Sequence, residues 1–414
     1  MRALLIGALA LSLVVGCGED APKAPVDVTA DVVVQDTVVG DTYVPDVATE
    51  DIAPEDTPEV DPFGGVEAFV LDQLTQAQIP GLAVAVTRRG EVVWTGAFGY
   101  ANVESKRAAT VNTPFMLASV SKTVTGVAVM HATQEGHLAL DDAINDILPF
   151  TVDNPRVENE VMVVRHLVSH TSGIRDNWDN MPYFDGDPTV PLAEFVEGYL
   201  VEGGPWYHLT NNFNATMPGE KFNYGNVATA LAGYVVEHTT ETPFDDYCDT
   251  HIFDALGLKN TGWHLEDFDA DTVAMPYVIS GGNFQAEGHY GYADYPDGQL
   301  RSSVSDMARF LAAISHDGSI GDARVLKKES VEELLSPQCP SVDNTQFVFW
   351  YQSTFAGRTV IGHNGSDIGV ATQIAFAPDT GIGVIVLMNV SWNDGVEAAA
   401  GAIQELLFDT AEQL

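Results

Sequence analysis

Basic residues are scarce in this 414-residue chain: 18 Lys and Arg stand against 59 Asp and Glu, a formal net charge of −41. A chain of that sign repels phosphate backbones, which excludes nucleic acid as a partner, and it has no electrostatic pull toward anionic lipid. Cysteine is nearly absent as well. Cys17, Cys248 and Cys339 are too few for a disulfide framework, and no Cys-x-x-Cys pair marks a zinc or redox site. The sequence leaves open whether Cys248 and Cys339 pair. HExxH, EF-hand, Walker and GxSxG patterns are all missing, which argues against metalloprotease, calcium-loop, phosphate-loop and α/β-hydrolase chemistry. The apolar run Leu4–Val15 is too short for a stable membrane span, which takes roughly 20 residues.

What that run does fit is the core of an export signal. Residues 1–17 read as one Arg, an apolar stretch, then Gly16 and Cys17. The ending Val14-Val15-Gly16-Cys17 resembles the bacterial lipobox, which implies a lipid on Cys17 and a membrane as partner through that lipid. The expected location is therefore exported, on a bacterial membrane, facing the periplasm or the cell exterior. Residues 18–62 carry 13 acidic residues, one lysine, six prolines and the single aromatic Tyr43. Repelling charge and frequent proline prevent a packed core, so this segment is expected to be a disordered tether. As a coil it reaches roughly 40 Å. Residues 63–414 keep a net charge of −30, so the acidity is not confined to the tether.

From Phe63 onward the patterning is mixed. Helical apolar spacing over 66–78 precedes two β-rich runs, Leu82–Thr87 and Glu91–Phe98, joined by Arg88-Arg89-Gly90 as a hairpin. A second hairpin joins Ile368–Ala377 to Ile382–Val390 through Pro378-Asp379-Thr380-Gly381, and 394–413 reads as a helix. Ser303-x-x-Asp306 marks a helix start. Strands at both ends around a largely helical middle predict an α+β domain over 63–414, its sheet built from both termini. There are no internal repeats.

The chemistry concentrates in Phe115-Met-Leu-Ala-Ser119-Val-Ser-Lys122. On a helix, residues three apart share a face, so the Ser119 hydroxyl and the Lys122 amine can meet. A serine becomes a nucleophile when a neighbouring base takes its proton. Burial and the positive end of the helix are expected to depress the Lys122 pKa and make it that base. The same helix start can aim the Ser119 N–H at an oxyanion. Among seven lysines, Lys122 forms the only Ser-x-x-Lys pair.

The run from Phe115 to Pro149 resembles the serine β-lactamase and penicillin-binding-protein superfamily, in its class C β-lactamase-like branch of esterases, D-aminopeptidases and DD-carboxypeptidases. Four further segments resemble that branch in the same order: VRHLVSHTSGI (164–174), PGEKFNYGNVATALAGYVVE (218–237), LRSSVSDMARF (300–310) and GHNGSDIGVATQIAFAPDTGIGVIVLMN (362–389). The resemblance implies an antiparallel sheet flanked by helices, with an inserted, mainly helical subdomain. It also implies a Tyr-x-Asn motif. Tyr100-Ala-Asn102 closes the first hairpin and reads as a turn, whereas Tyr224-Gly-Asn226 stands in the family's position. Tyr224 is then the proton-transfer partner of Lys122, and Asn226 orients the lysine or the substrate.

The family's Lys-Thr-Gly motif has no counterpart here, because the chain contains no Lys-x-Gly. Of His289-Tyr-Gly291, His316-Asp-Gly318 and His363-Asn-Gly365, only the last opens a β-rich run with the family's surroundings. His363 and Gly365 are expected to bind substrate, Gly365 by letting its backbone come close, and the Ser366 N–H to be the second oxyanion donor. A histidine anchors a carboxylate less well than a lysine at neutral pH. That favours a small ester or a D-amino-acid or peptide amide over β-lactams and DD-carboxypeptidase substrates. The rival from another class is a non-catalytic lipoprotein that captures muropeptides or a partner. His166 and His170 are spaced for a metal on one helix face, but Thr171-Ser172-Gly173 breaks that helix at once and they read as structural. No metal or organic cofactor is called for. Aromatic residues Trp178, Tyr183, Trp206, Tyr207, Tyr290 and Tyr292 lie in loops 175–216 and 262–300, which are expected to line the cleft. Oligomeric state is not legible.

Overall fold

The computed structural model describes residues 62–414. The Cys17 signal segment and residues 18–61 of the expected tether lie outside the described residues. Seven antiparallel strands form the main sheet, in the order 351–355, 358–367, 370–377, 382–388, 81–88, 91–102 and 107–108. Among the described residues the first strand therefore pairs with the last, and Val84 stands opposite Val386. The α+β reading and the sheet built from both termini agree with this.

The Gly81–Arg88 strand shows why the sheet is buried on both sides. Leu82, Val84 and Val86 point to one face and pack with Val70, Leu74, Ile403 and Leu407 of helices Val66–Ala77 and Asp394–Ala411. Ala83 and Ala85 point to the other and meet Phe310 and Leu311 of helix Val304–Ile314. A strand covered twice reads as a near-continuous apolar run rather than an alternation. Helix Val304–Ile314 starts as expected, with the Ser303 hydroxyl accepting from Asp306 N at 3.2 Å. The Asp306 carboxylate does not return to the cap; it accepts from Asn260 N and Thr261 Oγ1 and ties in a neighbouring loop.

The middle of the chain is mainly helical. Ser121–Glu135 is buried from Ser121 through Met130, as a helix enclosed on all sides must be. Asn226–Thr240 packs beside it, with Leu192–Leu200 and Val164–Val168 behind. Cys248 and Cys339 are both free thiols. Among the described residues no helix is long and apolar enough to cross a membrane.

Candidate active site

Ser119 sits in a single 3-10 turn, Ala118–Val120, that runs directly into the buried helix Ser121–Glu135. Ala118 is held at φ +48°, a left-handed conformation that a residue with a Cβ adopts at a cost, so the turn presenting Ser119 is strained. What holds it is the Arg358–Asp367 strand. A Cβ on Gly365 would lie 2.2 Å from the Leu117 carbonyl oxygen and 2.2 Å from Thr372 Oγ1. Only glycine permits that approach. Thr372 completes the lock by donating to Leu117 O at 2.6 Å, and Trp392 Nε1 donates to Gly365 O at 2.6 Å. The nucleophile turn itself therefore requires glycine at 365, a reason separate from the expected approach of the substrate's backbone. Ser366 follows on the same strand, beside that turn.

Lys122 meets Ser119 as the spacing predicts, Nζ to Oγ at 3.2 Å. Its side chain is fully buried. Nζ also donates to the Asp297 carbonyl at 2.7 Å and lies 3.7 Å from that residue's carboxylate. Here the structure overturns the expected pKa. Burial lowers it, but the Tyr224 phenol oxygen and the Asp297 carboxylate, with Asp176 farther off, favour the ammonium form and together raise it. Asp297 was not legible as a site residue. Burial among other carboxylates lifts its own pKa to about 7 against the pull of Lys122.

Tyr224 reaches the same point from the start of helix Asn226–Thr240. Its ring is 39% exposed, Lys122 Nζ lies 5.0 Å from the ring centre, and its phenol is in hydrogen-bonding contact with Ser119 and Lys122. Burial of the hydroxyl raises its pKa despite those contacts. At neutral pH the pair therefore rests as Lys122 ammonium beside Tyr224 phenol. His170, at φ +56°, places its ring 4.5 Å from Tyr224 and accepts from Gly225 N through Nδ1. His166 Nδ1 accepts from Val163 N. Both histidines brace backbone, as expected. Asp176 accepts from Asn226 N and Val227 N and so caps the helix that carries Tyr224. The Asn226 amide oxygen is buried without a hydrogen-bond partner and does not reach Lys122.

His363 lies on the same face as Gly365, its ring 6.1 Å from Tyr224 and 5.2 Å from Tyr351. Burial, then the Lys122 charge, hold its pKa down to about 3, so it is neutral. Nδ1 lies 2.6 Å from the Asn364 carbonyl, which only accepts, so Nδ1 carries the proton and Nε2 is left as an acceptor. The other two His-x-Gly candidates fall elsewhere: His316–Gly318 forms the turn after helix Val304–Ile314, and His289 leads into the Tyr290–Tyr292 strand.

The Beta-lactamase family model matches residues 66–407. The chain belongs to that family. Protein flp of Staphylococcus aureus is 22% identical over 79% of the chain, which spans 63% of that relative's length. The octameric penicillin-binding protein homologue of Pyrococcus abyssi is 25% identical, with a TM-score of 0.65 over 84% of this chain and 77% of that one. The D-amino acid amidase of Ochrobactrum anthropi is 21% identical, with a TM-score of 0.63 over 84% and 99%. Family membership sets the chain in the β-lactamase and penicillin-binding-protein superfamily. A neutral histidine stands where the family's Lys-Thr-Gly motif has its lysine, and a carboxylate, Asp297, stands against the Lys122 amine. Of the six loop aromatics, Tyr183, Tyr290 and Tyr292 gather near Asp367, whereas Trp206 and Tyr207 pack against Phe195 and Phe213.

Proposed function

We propose that the chain is an exported serine hydrolase, tethered to a bacterial membrane through a lipid on Cys17, that cleaves a small ester or a D-amino-acid or peptide amide. Ser119 Oγ attacks the carbonyl carbon and passes its proton to the Lys122–Tyr224 pair. The Ser119 and Ser366 N–H groups stabilise the oxyanion. The pair returns the proton to the leaving alcohol or amine, and water then releases the acid from the acyl-enzyme by the same route. Because the resting pair holds one proton too many to act as base, the active form is the one that has lost it, shared between amine and phenol. His363 accepts a hydrogen bond from the leaving side of the substrate.

The observation that carries this reading is Ser119 Oγ at 3.2 Å from Lys122 Nζ with Tyr224 against both. The ranking of esters and amides above β-lactams rests on charge. Lys122 is paired with Asp297 and His363 is neutral, so neither offers a cation to a β-lactam carboxylate. The test is hydrolysis of p-nitrophenyl acetate and a chromogenic cephalosporin by the full chain, beside Ser119→Ala. Ester turnover lost in the variant, with little cephalosporin turnover, supports the reading. Equal turnover in Ser119→Ala overturns it, and faster cephalosporin turnover reverses the substrate ranking.

A further inference from the structure

The Arg358–Asp367 strand presents alternate residues to the nucleophile, and the third in that series is Asp367. His363, Gly365 and Asp367 share a face, spaced by about 7 Å. Gly365 abuts the Ser119 turn, so His363 with Tyr224 lies to one side of the reacting carbon and Asp367 to the other. The leaving group takes its proton on the Tyr224 side. Asp367 consequently faces the acyl side.

Three tyrosines surround that carboxylate. Tyr183 donates its hydroxyl to Asp367 at 3.3 and 3.5 Å. Its ring centre is 5.7 Å from that of Tyr290 and 5.3 Å from that of Tyr292. Tyr290 donates to Ile368 O at 2.7 Å. Tyr292 reaches back to the nucleophile: a Cβ on Gly298 would meet its hydroxyl at 2.3 Å and the backbone beside Ser119, at Ala118, at 3.5 Å. The cage is braced from behind, since Gln299 Oε1 accepts from Tyr292 N and Arg301 Nη2 donates to Tyr290 O at 2.6 Å.

This corner of the cleft holds a carboxylate with no ion pair of its own. Among the described residues Asp367 has no Lys, Arg or His at ion-pair distance; the Tyr183 and Tyr290 hydroxyls and the Ile368 N–H are in hydrogen-bonding contact with its carboxylate. Asp297, 5% exposed, keeps Oδ1 buried with no hydrogen-bond partner, and the charge of Asp367 opposes its ionisation. A carboxylate without a cation of its own, set among tyrosines, is the chemistry that binds an ammonium group. We propose that Asp367, Tyr183, Tyr290 and Tyr292 form an ammonium subsite on the acyl side, so that the substrate is the ester or amide of an acid carrying a protonated amine. This rests on Ser119 as nucleophile and narrows the substrate within that reading.

The test pairs D-alanine p-nitroanilide with its N-acetylated form at pH 7, using the full chain. The free amine is expected to be turned over with a kcat/KM at least about tenfold higher. That ratio is expected to fall toward one in Asp367→Asn. Equal turnover of the two compounds by the native chain, or an unchanged ratio in the variant, overturns the subsite. Calorimetric titration with benzyltrimethylammonium, against benzyl alcohol as the neutral control, needs neither turnover nor the variant. Binding of the cation at least about tenfold tighter supports the subsite, and equal or absent binding overturns it. Loss of the hydrolytic reading alone is recognised separately, by p-nitrophenyl acetate turnover that survives Ser119→Ala.

Discussion

Tyr100-Ala-Asn102 and Tyr224-Gly-Asn226 carry the same pattern, and the protein puts them to unrelated uses. The first lies at the end of the Glu91–Asn102 strand. The Asn102 amide oxygen accepts from Ser105 N and Ser105 Oγ, both at 2.8 Å, and shapes the turn to the next strand. The Tyr100 carbonyl accepts from the Asn389 amide and lies where a Cβ on Gly81 would be, only 2.2 Å away. The second stands before a helix capped by Asp176, with a buried lysine against its phenol. The contrast teaches that a tripeptide acquires chemistry from what three or four other segments bring to it. The three His-x-Gly sequences repeat the lesson, since only His363 is carried to the site by a strand locked to the nucleophile turn.

Four measurements would break or sharpen that contrast. Ser119→Ala removes the group that gives the second tripeptide its role, and turnover is expected to fall to the uncatalysed background while the melting temperature stays near that of the native chain. Tyr224→Phe is expected to lower kcat by 10²–10⁴-fold, the span of one lost proton-transfer partner. Tyr100→Phe, measured beside it, is expected to change nothing in kcat; a matching loss there would end the distinction.

Asp297→Asn tests the electrostatics of the site through its pH profile. A negative charge favours the protonated forms of Lys122 and Tyr224 alike, so removing it lets the pair surrender its proton at lower pH. The acid limb of kcat/KM is therefore expected to move down by about one pH unit. A limb that stays or moves up means that Asp297 does not hold the pair protonated. Smallest is the effect expected of His363→Lys, which supplies the cation the third motif lacks. Cephalosporin turnover relative to p-nitrophenyl acetate should rise about tenfold at most. His316→Lys, in the turn after helix Val304–Ile314, should leave that ratio where it was.

Much of the fold was legible because its signals are local. Two hairpins, the terminal helices and the Ser303 cap are written in periodicity and turn residues within a dozen positions of one another. Ser119, Lys122 and Tyr224 were legible because their motifs are short and ordered. The direction of the Lys122 pKa is not legible for a definite reason: burial can be inferred from an apolar context, but the groups that oppose it, Tyr224 and then Asp297, come from 102 and 175 residues away. The reason for Gly365 was likewise hidden in a contact with Leu117 and Thr372.

The sequence by itself determined which elements form, that a serine and a lysine share one helical face, and that no lysine stands in the third motif. Tertiary structure alone decided the electrostatic character of the site. Charge and hydrogen-bond partners act through space over a few ångströms, without regard to separation along the chain. Only the folded sheet and helices bring Asp297 to Lys122, lock Gly365 against the nucleophile turn, leave His363 neutral with one acceptor nitrogen, and close three tyrosines around Asp367.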